Sequence, residues 1–246
     1  MSDAKNKVAI VTGASRGIGA AIAERLGRDD FTVIVNYAGN AAMANAVVAR
    51  IEAAGGSALS AQADVADPAA VKRMFDAAED AFGGVDVLIN NAGIMALSPL
   101  AATEDADFDK IVSVNLKGTF NTLREAGRRL RDNGRIINFS TSVVGLKLEN
   151  YSVYAATKAA VETLTAIMAK EMRGRNITVN AVAPGPTATD LFLDGKSEEL
   201  IARMAKMSPL ERLGTPEDIA NAVAFLAGPD SAWVNGQTLR TNGGVI

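Results

Sequence analysis

The stretch Val8-Ala-Ile-Val11-Thr12-Gly13-Ala-Ser15-Arg16-Gly17-Ile18-Gly19 decides the fold. Four apolar residues are too few for a helix and read as a buried strand, while Ile18–Arg28 beyond the glycines has helical period. A helix that opens at such a turn presents unpaired N–H groups and a partial positive charge, which suit a pyrophosphate. Glycine is needed where the chain turns sharply, approaches phosphates and packs helix on strand. A glycine trio alone is a weak signal, but between a first strand and a first helix it becomes a strong one.

Outward from that stretch, short apolar runs alternate with Ala-rich helical segments. The predicted strands are Val8–Val11, Thr32–Val35, Ala58–Gln62, Val87–Ile89, Arg135–Phe139, Thr178–Val182 and a weaker Gln237–Arg240. The predicted helices are Ile18–Arg28, Ala41–Ala54, Pro68–Phe82, Phe108–Arg131, Val153–Arg173 and Pro216–Ala227, with Asp67-Pro68 and Thr215-Pro216 as cap-then-proline starts. Near-continuously apolar strands alternating with helices imply a parallel sheet covered on both faces. The expectation is α/β: one Rossmann domain over residues 1–246, with a doubly wound parallel seven-stranded sheet. Only Pro184–Pro209 breaks the alternation. It carries Leu191, Phe192, Leu193, Met204 and Met207 around a short helical pattern at Ser197–Ala205, and reads as a substrate lid over residues 186–209.

Composition removes many alternatives. The chain has 48% hydrophobic residues, a net charge of −3 with both signs interspersed, and neither Cys nor His. Disulfides, thiolate nucleophiles, histidine bases and His- or Cys-ligated metals are excluded, so no metal site is expected. Nothing resembles a nucleic-acid stripe or a membrane patch. Residues Met1–Lys7 lead into only the short apolar run Val8–Val11, so the chain reads as unprocessed, with a cytoplasmic location expected.

Cofactor choice turns on the end of the second strand, where an acid would bond the ribose hydroxyls of NAD. That position falls at Asn36, and no Asp or Glu occurs between Asp30 and Glu52. Arg16 could grip a 2′-phosphate bidentately. NADP(H) is expected over NAD(H). A second phosphate motif, Gly195-Lys196-Ser197, lacks both the first glycine of a P-loop (Asp190 stands there) and a preceding strand.

For proton chemistry, Tyr154-Ala-Ala-Thr-Lys158 sets a phenol and an ammonium four residues apart on one helical face. An ammonium about 4 Å away at an effective dielectric of 20 favours the phenolate by roughly 4 kcal/mol, so a phenol pKa lowered by about 3 units is expected. Tyr151, the rival phenol, meets Ala155 instead of a cation. Ser140-Thr141-Ser142-Val-Val-Gly145, Asn90-Asn91-Ala92-Gly93 and Pro184-Gly185-Pro-Thr187-Ala-Thr189 end strands whose carboxyl ends gather in one crevice, and Asn115 stands in Val114-Asn115-Leu116-Lys117-Gly118.

In their order and wording these motifs resemble the short-chain dehydrogenase/reductase family across nearly the whole chain. Within it the wording is similar to bacterial 3-oxoacyl-acyl-carrier-protein reductases and related carbonyl reductases. The resemblance implies NADPH-dependent reduction of a ketone, aldehyde or 3-oxoacyl thioester. Tyr154 would protonate the carbonyl oxygen, which Ser142 would hold. Lys158 would bind the nicotinamide ribose and depress the Tyr154 pKa, and Asn115 would anchor a water resupplying protons. Gly13, Ser15, Arg16, Gly17, Ile18 and Gly19 would hold the phosphates, with Asn36, Tyr37 and Ala38 around the adenosine ribose. Asp64 and Val65 would border the adenine, Asn91, Ala92 and Gly93 the central cofactor, and Pro184, Gly185, Thr187 and Thr189 the nicotinamide end.

One departure concerns the hydroxyl. The family's serine commonly lies thirteen residues before the tyrosine, whereas Ser142 lies twelve before Tyr154 and Thr141 thirteen. Ser142 is expected from the wording, with Thr141 as the fallback. A homotetramer is implied by the resemblance. Acyl-carrier-protein docking would need a basic surface, for which Arg128, Arg129, Arg131, Arg173 and Arg175 are the candidates. The other class considered is a non-catalytic dinucleotide-sensing protein, against which the intact Asn115, Ser142, Tyr154 and Lys158 set counts. Epimerases and dehydratases share the Tyr and Lys on longer chains, and only about 60 residues follow Pro184 here.

Overall fold

A computed structural model describes residues 7–246; the start of the chain, read above as unprocessed, lies mostly outside the described residues. Strand β1 (Val8–Val11), helix α1 (Gly17–Arg28), β2 (Thr32–Tyr37), α2 (Ala41–Ala53), β3 (Ser57–Gln62), α3 (Pro68–Phe82) and β4 (Val85–Asn90) form the first half. Helices α4 (Asp105–Ile111) and α5 (Gly118–Arg129) lead to β5 (Leu130–Phe139), the one-turn helix α6 (Val143–Leu146), α7 (Ser152–Glu171) and β6 (Thr178–Pro184). Short α8 (Asp190–Leu193), α9 (Glu198–Lys206), α10 (Pro216–Ala227) and β7 (Thr238–Thr241) complete the described residues.

The strands form one parallel sheet in the order β3-β2-β1-β4-β5-β6-β7. Strand β1 shows why both faces are covered. Val8 and Ile10 pack with Val71, Phe75 and Leu123 of α3 and α5, whereas Ala9 and Val11 join Ile22, Leu26 and Val223 of α1 and α10. Alternate side chains thus enter two separate cores, so all four must be apolar. The chain reverses its winding between β1 and β4, opening a crevice beyond their carboxyl ends.

Local capping follows the expected chemistry. Asp67 accepts from Ala69 N ahead of Pro68, and Thr215 with Asp218 closes a reciprocal capping box. Two expected boundaries need correction. The single helix Phe108–Arg131 is interrupted by a π-turn at Val112–Lys117, and its last two residues belong to β5. β5 therefore starts at Leu130 rather than Arg135, across an irregularity where Asn133 takes φ 65° and the pairing with β4 shifts. The segment 186–209 contains α8 and α9, and Ser197 caps α9 by accepting from Leu200 N.

Candidate active site

The glycine turn is built as a cradle. Gly13 and Gly17 take φ of 62° and 56°, which side chains other than glycine rarely adopt. A methyl on Gly19 would collide with Gly13 O, so this glycine is what lets α1 begin so close to β1. Asn91 braces the turn from β4, donating to Thr12 O at 2.9 Å and Gly13 O at 3.1 Å, and Ala92 N donates to Thr12 Oγ1. Beyond it lies a cleft lined by Gly13, Ser15–Gly19, Asn36–Asn40, Asp64, Val65 and Asn91–Gly93. Arg16 is exposed at its rim and forms no ion pair among the described residues. Gly39, Asn40 and Met43 were missed by sequence reasoning. Asn40 caps α2 by accepting from Met43 N, so a Gly-Asn pair before an Ala-rich helix was the available signal.

Asn36 lines the cleft and also braces it. Its amide is spent inside the protein, accepting from Gly13 N at 3.1 Å and donating to Ala61 O at 3.1 Å and Ala63 O at 3.0 Å. The residue is 1% exposed and ties the glycine turn to β2 and β3 while lining the cleft. Tyr37 and Ala38 line the cleft beside it.

A second cavity opens from the first, sharing Ile18, Asn91, Gly93, Thr189 and Leu191. At its head lie Thr141, Ser142, Tyr154 and Lys158, with Pro184, Gly185 and Thr187 alongside. Met95, Leu146, Leu148, Phe192, Met204 and Met207 line its body, and Lys158 is the one charged lining residue among those described. Met95, Leu146 and Leu148 were not anticipated, because an apolar residue in a loop or a single helical turn carries no periodic signal.

Lys158 Nζ donates to Phe139 O at 2.9 Å and lies 5.8 Å from the centroid of the Tyr154 ring. The ammonium is 4% exposed, with one carbonyl serving its three protons, and burial lowers its pKa to about 8. The expected acidified phenol is not what this geometry gives. Burial pushes Tyr154 up to about 12, the Thr141 hydroxyl opposes this, and the neighbouring Tyr151 phenol adds to it. The cation donates to the end of β5 instead of bonding the phenol, which leaves the desolvation of Tyr154 dominant.

The two hydroxyl candidates differ in their freedom. Ser142 Oγ donates to Ala183 O at 3.3 Å and accepts from Asn242 Nδ2 at 3.0 Å. Thr141 Oγ1 accepts only a 3.3 Å bond from Val143 N among protein groups and stands beside the Tyr154 phenol. Asn115, fully buried in the π-turn, accepts from Ile94 N and donates to Ile94 O, each at 2.9 Å. Its amide clamps a loop, and its main-chain oxygen accepts from Thr119 Oγ1. A methyl on Gly93 would sit 3.3 Å from Asn115 Oδ1 and 3.4 Å from Lys158 Nζ, so these motifs do converge. Thr187 donates to Gly185 O and Thr189 caps α8.

The arginine cluster lies elsewhere. Arg129 is held by Asp76, Glu79 and Glu125, Arg131 by Asp86, and Arg175 by Asp132. These residues stand at the amino ends of β4 to β6 or the helix ends beside them, across the sheet from the crevice. No metal-binding cluster of acidic residues occurs among the described residues, and no described helix is long and apolar enough to cross a membrane.

Fold and site together define a dinucleotide-type α/β oxidoreductase. A family model described as "Enoyl-(Acyl carrier protein) reductase" matches residues 13–246. A short-chain type dehydrogenase/reductase of Picea abies is 46% identical over 250 residues, spanning 98% of this chain and 92% of the relative. An NADPH-dependent aldehyde reductase-like chloroplastic protein of Arabidopsis thaliana is 44% identical over 254 residues, spanning 98% and 94%. The solved structure of a short chain dehydrogenase from Burkholderia cenocepacia J2315 in complex with NADP superposes with a TM-score of 0.93 at 39% identity, covering 98% of each chain. The chain belongs to the short-chain dehydrogenase/reductase family.

Proposed function

We propose that the protein reduces a neutral, apolar ketone or aldehyde with NADPH. The observation that carries this is the joining of an apolar cavity, headed by Tyr154, Thr141 and Lys158, to the glycine-lined cleft. The residues present fit a dinucleotide. The Gly13–Gly19 cradle admits a backbone approach, and the Lys158 ammonium has protons to spare for ribose hydroxyls. When bound, the nicotinamide supplies the hydride. Arg16 at the rim, the exposed Asn40 cap and the absence of an acid between Asp30 and Glu52 favour the 2′-phosphorylated form, as do the NADPH-dependent relative and the NADP-bound neighbour.

Tyr154 is the general acid. A phenol held near 12 keeps its proton at neutral pH and delivers it to the oxygen that becomes alkoxide. Thr141 donates a hydrogen bond to the same oxygen, and Ser142 keeps the loop in place. Lys158, near 8, then returns a proton to the phenolate close to neutral pH. Asn115 positions Ile94 and the π-turn beside it, and the 186–209 segment closes over the substrate.

An uncharged substrate follows from the cavity wall, since a carboxylate in its apolar body would lack a partner. Acyl-carrier-protein delivery is the second reading, favoured by a 44% identical 3-oxoacyl-[acyl-carrier-protein] reductase of Staphylococcus aureus, although Arg129, Arg131 and Arg175 are held in ion pairs at the amino ends of the strands. The test is NADPH oxidation with ketones, aldehydes, a 3-oxoacyl thioester and an enoyl thioester. Tyr154→Phe should lower kcat by roughly 10²–10⁴. Turnover of the enoyl thioester alone, or an unchanged Tyr154→Phe rate, would reject the reading.

A further inference from the structure

The last residues of the chain fold back across two parts of the proposed site. Gly185 N donates to Thr241 O at 3.1 Å, and a methyl on Gly185 would lie 2.8 Å from Asn242 Cα, so the tail lies flat against the end of β6. Asn242 then donates to Ser142 Oγ at 3.0 Å, while its own Oδ1 accepts from Gly244 N. The next residue turns to the other side: Ser208 Oγ, just beyond α9, donates to Gly243 O at 2.7 Å. Gly243 and Gly244 take φ of 64° and 85°, a conformation that lets six residues make both contacts. Finally Ile246 packs on Gly145, where an added methyl would strike its Cδ1.

We infer that this tail is a clamp linking the hydroxyl loop to the lid, with Asn242 the positioning residue that acts through Ser142. The inference rests on the carbonyl-reductase reading above. Ser142 Oγ has two partners, Ala183 O and Asn242 Nδ2, on β6 and the tail. With Ser142 N bonded to Pro184 O, these contacts fix the rotation of the loop that carries Thr141 toward the Tyr154 phenol. Without Asn242 the Ser142 hydroxyl loses its fixed donor, and the loop can turn its neighbour away from the reacting oxygen. Ser208 performs the matching task at the far end, where α9 hands the lid back to the body of the protein. The arrangement requires no movement of the tail itself, only that both ends lean on it.

The test is a double-mutant cycle on the full-length enzyme, with Asn242→Ala, Ser142→Ala and both together. Kinetics, dinucleotide Kd by fluorescence and Tm are read for each. Asn242→Ala should lower kcat about 5–10-fold, the effect of one lost hydrogen bond near 1 kcal/mol, with the dinucleotide Kd unchanged. The double variant should be no slower than the slower single one, because both remove the same contact. Ser208→Ala should instead raise KM for the carbonyl substrate with kcat retained. Multiplying effects in the cycle, or a loss confined to Tm, overturns the proposal. If Ser142→Ala alone costs 10²-fold or more while the cycle stays non-additive, Ser142 rather than Thr141 touches substrate and the clamp stands. Failure of Tyr154→Phe to slow the enzyme would instead reject the underlying reading.

Discussion

Lys158→Met should make the protein more stable while abolishing its activity. The ammonium is 4% exposed, and its pKa falls from 10.5 to about 8 on burial. A depressed lysine pKa means that the folded state binds the proton less well than the unfolded state. The penalty is therefore full below pH 8 and disappears as pH rises past 10.5. The depressed pKa corresponds to a penalty of roughly 3 kcal/mol at pH 7 that shrinks to about 1 kcal/mol at pH 10. Methionine has similar reach and no charge, but it leaves Phe139 O without its donor, at a cost of about 1 kcal/mol. The net gain at pH 7 is about 2 kcal/mol, or about 4–8 °C in Tm for a chain of this size. Scanning calorimetry of both proteins at pH 7 and pH 10 measures it. A gain of equal size at the two pH values, or a loss at pH 7, would refute the account of Lys158 as a strained buried cation.

Asn36→Asp should not convert the enzyme to NADH. A carboxylate there faces Ala61 O and Ala63 O, so a destabilisation of about 3–5 kcal/mol in urea unfolding is expected. Thr141→Val, which keeps the shape and removes the donor, should lower kcat by about 10²-fold in steady-state assays. Arg16→Ala should raise KM for NADPH by roughly 10–100-fold and leave NADH kinetics alone, as charge-assisted bonds to a phosphate would dictate. Phe108, Phe120 and Ile167 are each 47–49% exposed on α4, α5 and α7; the expected homo-oligomer would cover them, and light scattering should then show Phe120→Asp with Ile167→Asp shifting the protein to a smaller species.

What the sequence made legible was whatever local spacing encodes. The strand, glycine turn and helix at Val8–Arg28, the proline-led caps and the gathering of strand-end motifs all depend on neighbours within a few residues. Long-range commitments were invisible. Asn36 and Asn91 line the cleft as expected, but the sequence did not show that they and Asn115 each spend their amide on a main chain between 21 and 79 residues distant. Tyr154 and Lys158 do face one cavity, but helical spacing fixes which side chains are neighbours, not where the longer one finds its acceptor, and the expected lowering of the phenol pKa is absent. The hydroxyl question also needed a partner, Asn242, that lies 100 residues from Ser142. Of the arginines clustered in sequence, Arg129, Arg131 and Arg175 are held in ion pairs at the amino ends of the strands.

The π-turn at Val112–Lys117 has an evolutionary corollary. A π-turn is an α-helix holding one surplus residue, and each residue turns the helix by about 100°. Deleting a single position there would let hydrogen bonding run unbroken from Asp105 to Arg129. It would also rotate one side of the helix against the other by more than a quarter turn. Either Asn115 would leave Ile94, or Leu123 and Ala126 would leave the core beside Phe75. The surplus residue sets the helix phase that satisfies the site and the core together, so a change in chain length by one is far harder to accommodate there than any substitution nearby.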